Sequence, residues 1–174
     1  MVGGDRFSEK MHFRYITEQV EDEKTGKMIP TVPRPKIEVI FRKYSEAKDL
    51  ETNPEFRTHG LVDSGADTAF LPRQIAEVLK LDLKEEDKKK SKSASEEFWT
   101  YRTKVYLEIM YNGRKVPVGI IDVSIPEKPT QMGDVEKMVL LGRSGLFDQY
   151  EVIFNESAKS LTFKKVYPHK VKRF

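Results

Sequence analysis

Apolar and polar residues alternate through most of this chain, and the period changes in one short stretch. Residues 11–20, MHFRYITEQV, mix aromatic and β-branched residues with polar ones and predict a strand. The polar, glycine-containing EDEKTGK then reverses the chain. Pro30, Pro33 and Pro35 hold the next stretch extended, because each fixes φ and restricts its predecessor. KIEVIFRKY, residues 36–44, predicts another strand, with Ile37, Val39 and Phe41 on one face. SEAKDLETNPEF reads as a loop between strands. RTHGLVDSGADTAFLP gives a strand, a turn around Ser64-Gly65-Ala66 and a short second strand. PRQIAEVLKLDL is the clearest helix: Ile75, Val78, Leu79 and Leu83 form its stripe, and Pro72 suits the first turn.

The second half is richer in strands. KEEDKKKSKSASEE is apolar only at Ala94, which predicts a mobile segment. FWTYRTKVYLEIM and RKVPVGIIDVSI follow, separated by YNG, whose Asn112-Gly113 is a strong hairpin signal. PEKPTQMGDVEK is a loop and MVLLG a buried strand. RSGLFDQY predicts a turn and short helix, and YEVIFNESAKSLTFKKV a closing hairpin. There is no internal repeat, so one β-rich domain with one or two helices fits the pattern best.

Composition narrows the classes. A length of 174 residues suits one well-packed domain and is short for two. The apolar fraction of 38% is low and the charged fraction of 34% high, which places part of the length in solvated loops or tails. A net charge of +3, from 31 basic and 28 acidic residues, is too balanced to argue for nucleic acid. The basic, aromatic KKVYPHKVKRF at the end reads as a solvated terminus or an added edge strand at a dimer interface rather than a nucleic-acid contact. The absence of cysteine excludes disulfides, thiolate metal sites and a cysteine nucleophile. His12, His59 and His169 are scattered and make no metal spacing, so neither metal nor cofactor is expected. No stretch has the length of a membrane span or a signal-peptide core, which leads to the expectation of a cytoplasmic protein with no membrane partner.

Asp63 is the residue that demands an explanation. Leu61 and Val62 bury the start of its segment, and an unpaired carboxylate is costly to bury. On its own it would read as a turn aspartate capping its own backbone. Ser64 as a nucleophile lacks the Gly-x-Ser-x-Gly frame, and at Ser144 that frame fails because Leu146 occupies the final glycine position.

The second motif changes the balance. Leu61-Val62-Asp63-Ser64-Gly65-Ala66, followed far downstream by Val139-Leu140-Leu141-Gly142-Arg143 and a final hairpin, resembles the retropepsin-like aspartic proteases. The resemblance runs in order over roughly residues 36–165, with specificity in the two motifs. It implies a mainly β, retropepsin-like acid-protease fold, closed and barrel-like, acting as a homodimer on peptide or protein substrates. By this resemblance Asp63 is catalytic, Ser64, Gly65 and Ala66 support its loop, and Asp67, Gly142 and Arg143 bind substrate or clamp the site. It also implies a flap in about residues 88–104, with Ser93, Ala94 and Ser95 at its tip. Phe98 and Trp99 either line the cleft beneath it or anchor a strand to the core. The family's flap tip is glycine-rich and this segment has no glycine.

The dimer follows from counting. Asp122, Asp134 and Asp148 lack the following hydroxyl residue and glycine, so the chain holds one Asp-Ser-Gly. Two carboxylates that share a proton can act as base and acid at one pH, and a two-fold axis supplies the second Asp63. The expected domain covers residues 11–166, between a disordered stretch at 1–10 and a basic tail at 167–174. The competing reading is a catalytically silent peptide-binding or assembly module on the same fold.

Overall fold

A computed structural model of the chain describes residues 10–44, 53–92, 97–128 and 139–166. The N-terminal stretch 1–9, the tail 167–174, the expected flap tip at 93–95 and most of the two loops expected at 45–56 and 126–137 lie outside the described residues. The chain divides into two compact units, residues 36–146 and residues 1–35 with 147–174.

The larger unit is a closed sheet. Its strands are β4 (Lys36–Lys43), β5 (Glu55–Val62), β6 (Ala69–Phe70), β7 (Lys88–Lys92), β8 (Glu97–Tyr111), β9 (Arg114–Pro126) and β10 (Val139–Leu141). They lie in the order β4-β5-β10-β6-β9-β8-β7, and an added β4–β8 pairing closes six of them into a barrel. The closure rests on period-two burial along β8, where Val105, Leu107 and Ile109 are fully buried. Ile121, Val123 and Ile125 of β9 and Ile37, Val39 and Phe41 of β4 are buried as well. Each such side chain contributes roughly 1.5–3 kcal/mol by leaving water. Ile40 is also buried, so β4 is covered on both faces rather than on the single face expected from its alternation.

Local chemistry sets the connections. Asn112 (φ 49°) and Gly113 (φ 74°) both take positive φ, as a two-residue hairpin turn between right-twisted strands requires. The helix α1 (Arg73–Val78) is shorter than its apolar stripe suggested. Ile75 and Leu79 are buried, but Val78 is half exposed. Lys80 takes φ 52°, a conformation that cannot continue a right-handed helix, so Leu83 falls outside it. Arg143–Phe147 is helical only in part, because Ser144 (φ −61°, ψ 124°) and Gly145 (φ 89°, ψ −51°) leave helical backbone.

One segment departs from expectation over its described residues. The lysine-rich stretch predicted to be mobile begins with a 3-10 turn at Glu85–Asp87 and continues as β7, paired with β8 from Lys88↔Tyr101 to Lys92↔Glu97. Polar contacts replace the missing apolar ones. Ser91 Oγ lies 2.8 Å from Thr100 Oγ1, Tyr101 Oη donates to Glu85 over 2.7 Å, Lys88 pairs with Glu127, and Lys90 pairs with Glu97.

The smaller unit holds β1 (Lys10–Arg14), β2 (Gln19–Glu21), β3 (Met28–Pro30), β11 (Tyr150–Asn155) and β12 (Ser160–Lys165). The expected strand over 11–20 is thus two strands in different sheets. β1, β12 and β11 form an antiparallel sheet in which Phe163 packs edge-on against Phe13 and Tyr150. β2 and β3 form a hairpin whose reversal is held by Asp22, which accepts from the Lys24 and Thr25 amides.

The barrel wall carries a titratable brace. Arg42, almost buried, pairs with Glu108 at 3.0 Å and with Glu55, and Glu55 also takes Lys115 at 3.2 Å. The Lys115 hydrogen bond, aided by Arg42, holds the Glu55 carboxyl below its ordinary value near 4.5. A lowered folded-state pKa adds stability above the ordinary value, and that stability disappears as pH falls through the lowered one. The urea midpoint should therefore fall between about pH 6 and about pH 3, and Glu55→Gln should flatten that decline. An equal slope in both proteins would remove Glu55 from the account.

Candidate active site

The site is built on a crossing of three strands. β5 runs parallel to β10, with Gly60↔Val139, Leu61↔Leu140 and Val62↔Leu141 in register. The chain leaves β5 at Asp63, turns, and returns as β6, which pairs antiparallel to β10 at Phe70↔Leu140 and parallel to β9. β10 therefore lies between the strand that enters the turn and the strand that leaves it. That placement explains the apolar residues on both sides of Asp63: Val62 and Ala69 are buried in the sheet while the turn projects from its end.

Backbone hydrogen bonds pin the turn from both sides. The Asp63 amide donates to Leu141 O over 3.1 Å. The Gly65 amide donates to Asp63 Oδ1 over 2.8 Å, the short-range geometry of an aspartate bonding two residues ahead. The segment leaving β10 stitches the far side: the Arg143 amide donates to Ala66 O (2.8 Å) and the Ser144 amide to Asp67 O (2.9 Å). Between them Gly142 passes directly under the turn, with its Cα facing the carbonyls of Ala66 and Thr68. Asp63 is part-buried, and Ser64 and Gly65 are exposed. Arg143 Nη2 donates to Asp67 Oδ1 in an exposed ion pair. The structure thus brings Asp63, Ser64, Gly65, Ala66, Asp67, Gly142 and Arg143 into one turn and the strand end beneath it.

A cleft of about 420 Å³ opens beside the turn. One wall is Gly65, Ala66, Asp67, Thr68 and Phe70; the other comes from the β7–β8 hairpin, including Ser91, Phe98 and Arg102. Phe98 meets Phe70 edge-on with ring centroids 6.4 Å apart, so it serves both as lining and as contact with the sheet. Trp99 lies outside this lining and is 48% exposed, with the Lys88 ammonium 5.9 Å from its ring centroid. It neither faces the cleft nor joins the core. Period two explains the division: Phe98, Thr100 and Arg102 share one face of β8 and Trp99 takes the other.

Sequence reasoning missed Thr68, Thr100, Arg102 and Ser124, all of which line the cleft. Arg102 Nη1 donates to Thr68 Oγ1 at 2.6 Å, and Thr68 Oγ1 lies 2.9 Å from Ser124 Oγ. The signal was present in the alternation of β8, which puts Arg102 two positions beyond a fully buried threonine, Thr100. At the hairpin base, the Tyr101 hydrogen bond holds the Glu85 carboxyl low, and the Glu127 hydrogen bond holds the Lys88 ammonium high. Among the described residues no three acidic or histidine side chains converge as a metal site would need. No helix among them is long and apolar enough to cross a membrane.

No protein-family model matches the sequence, and no curated protein matches it. Solved structures are similar to the chain, two of them as follows. A retropepsin-like aspartic protease from Rickettsia conorii is 15% identical, with a TM-score of 0.47, over 88% of this chain and 96% of that one. EIAV protease in complex with the inhibitor HBY-793 is 20% identical, with a TM-score of 0.33, over 63% of this chain and 82% of that one. The chain's own architecture has the closed, mainly β barrel that was expected, and it sets the Asp-Ser-Gly turn astride the apolar-apolar-Gly strand. The chain is thus mainly β, with six strands of its larger unit closed into a barrel.

Proposed function

We propose that the chain is an aspartic-type endopeptidase whose working site forms when two copies meet on a two-fold axis at the Asp63 turn. The observation that carries this reading is the turn itself: it holds the part-exposed Asp63 carboxylate, is pinned by backbone bonds to Leu141 and to the Gly142–Ser144 segment, and lines an open cleft with its residues Gly65 to Thr68. Such a scaffold holds a reacting group within the narrow tolerance that catalysis needs.

One copy supplies one carboxylate, and the chemistry needs two. With a single proton shared across the axis, one Asp63 takes a proton from water as its oxygen attacks the scissile carbonyl carbon. The other Asp63 gives its proton to the carbonyl oxygen. As the tetrahedral diol collapses and the C–N bond breaks, the leaving nitrogen takes the dyad's proton while one diol hydroxyl gives its own proton to the other carboxylate, which returns the dyad to its one-proton state. Apparent pKa values then belong to the pair rather than to either residue. Gly65, Ala66 and Asp67 present backbone to an extended peptide, and the β7–β8 hairpin covers it as a flap. Arg143 acts as the clamp that holds Asp67.

The test is the dependence of rate on concentration. Specific activity against a peptide library should rise with chain concentration and level off where light scattering reports a dimer. A monomer at every concentration, with or without peptide, would remove the shared dyad. Peptide binding with no turnover in the dimer would leave a peptide-binding module on the same fold.

A further inference from the structure

The cleft beside the Asp63 turn has an unbalanced charge. Its carboxylate, Asp67, is engaged by Arg143. The Lys90 ammonium on the opposite wall pairs with Glu97. Arg102 is different: it makes no ion pair among the described residues, and its Nε is buried without a hydrogen-bond partner among them. Its guanidinium is nevertheless fixed, because Nη1 donates to Thr68 Oγ1, whose own position is set by Ser124. Arg102 is part-buried, with Nε withdrawn from water and its outer nitrogens only partly used, and a ligand carboxylate is the group that best fills the remaining donors of such a fork.

We infer that Arg102 is a specificity residue that selects peptides carrying an aspartate or glutamate side chain at the position seated against Thr68. The inference rests on the reading of this cleft as a peptide site and adds a substrate class to it. A fixed fork can accept a carboxylate through two parallel N–H···O bonds, whereas the isosteric amide presents an N–H₂ that faces donors with a donor. An acidic side chain therefore gains twice, from charge and from hydrogen-bond direction. Thr68 and Ser124 are positioning residues, since they hold Arg102.

Binding separates this inference from the proposed chemistry. Three fluorescein-labelled octapeptide pools serve as probes, with Glu, Gln or Lys fixed at one scanned position. Acetylated N-termini and amidated C-termini leave no chain-end carboxylate. Anisotropy on the Asp63→Asn variant, which cannot consume its ligand, should show the Glu pool binding about tenfold tighter than the Gln pool at one position. Arg102→Met should erase that difference. Arg102→Glu should reverse it toward the Lys pool, a gain that misfolding cannot produce. Equal affinity for the Glu and Gln pools, or a Glu preference that survives Arg102→Met, would overturn the inference. So would preference for a Gln pool with a free C-terminus over the amidated Glu pool. Glu-selective binding with no turnover in wild type strikes the endopeptidase reading and leaves this one standing, while turnover without acidic preference does the reverse.

Discussion

Replacing Asp63 with Asn should lower peptide hydrolysis by at least about 10³-fold while leaving the melting temperature close to that of wild type. The amide keeps the shape of the side chain, and its oxygen can still accept the 2.8 Å hydrogen bond from the Gly65 amide, so the turn survives. What disappears is the ability to hold and exchange a proton. In a two-fold site the substitution removes both carboxylates at once. Mixing makes the result more discriminating: excess Asp63→Asn chain added to wild type should draw active protein into mixed pairs with one carboxylate. Activity should then fall roughly as the square of the wild-type fraction. A linear fall would mean that each copy works alone, and the shared dyad would be lost with it.

The second large effect is structural. Gly142→Ala should destabilise the larger unit by about 3 kcal/mol and disable the site as well. A Cβ there would stand 2.6 Å from the Thr68 carbonyl carbon, 2.8 Å from Ala66 O and closer still to Thr68 O. Those atoms are backbone of a turn already held by the Arg143 amide at Ala66 O and the Ser144 amide at Asp67 O, so no side chain can swing aside to make room. Gly113→Ala is the matched control. Its φ of 74° imposes backbone strain, but nothing lies within 4 Å of the added carbon, so the cost should stay near 1 kcal/mol. Urea midpoints of the two variants would separate collision from strain. Equal midpoints would show that the strand can retreat from the turn.

These residues also show what can be read from sequence and what cannot. The Asp63 turn and the Val139–Arg143 segment are legible because each states its chemistry locally: a carboxylate between apolar residues, and an apolar run closed by glycine. Asn112-Gly113 is legible because few residue pairs tolerate two positive φ values. The Lys88–Lys92 strand is not, since KKKSK has no apolar face and takes its shape from the β8 partner across the hairpin. The end of α1 was misjudged because an apolar stripe persists past Lys80, where the backbone turns left-handed. β1 was merged with β2 because its partner, β12, lies some 150 residues away, as in the Lys10↔Lys164 register pair, and no local pattern names it. Arg102 escaped notice because an arginine in a strand usually faces solvent, and only the position of Thr68 gives it a purpose.

The continuity of β8 has a thermodynamic consequence. Glu97 to Tyr111 is one strand, so the residues facing the cleft, Phe98 and Arg102, share a backbone with Val105, Leu107 and Ile109 in the barrel. A ligand held by the first part of the strand loses its site when that part unfolds, and that part is continuous with the residues paired to β4 and β9 farther along. Occupancy and global unfolding are therefore linked. A ligand at one hundred times its dissociation constant adds about 2.7 kcal/mol to whatever must unfold with its site. Here that is the barrel as a whole, so a thermal-shift measurement registers ligands that are never cut.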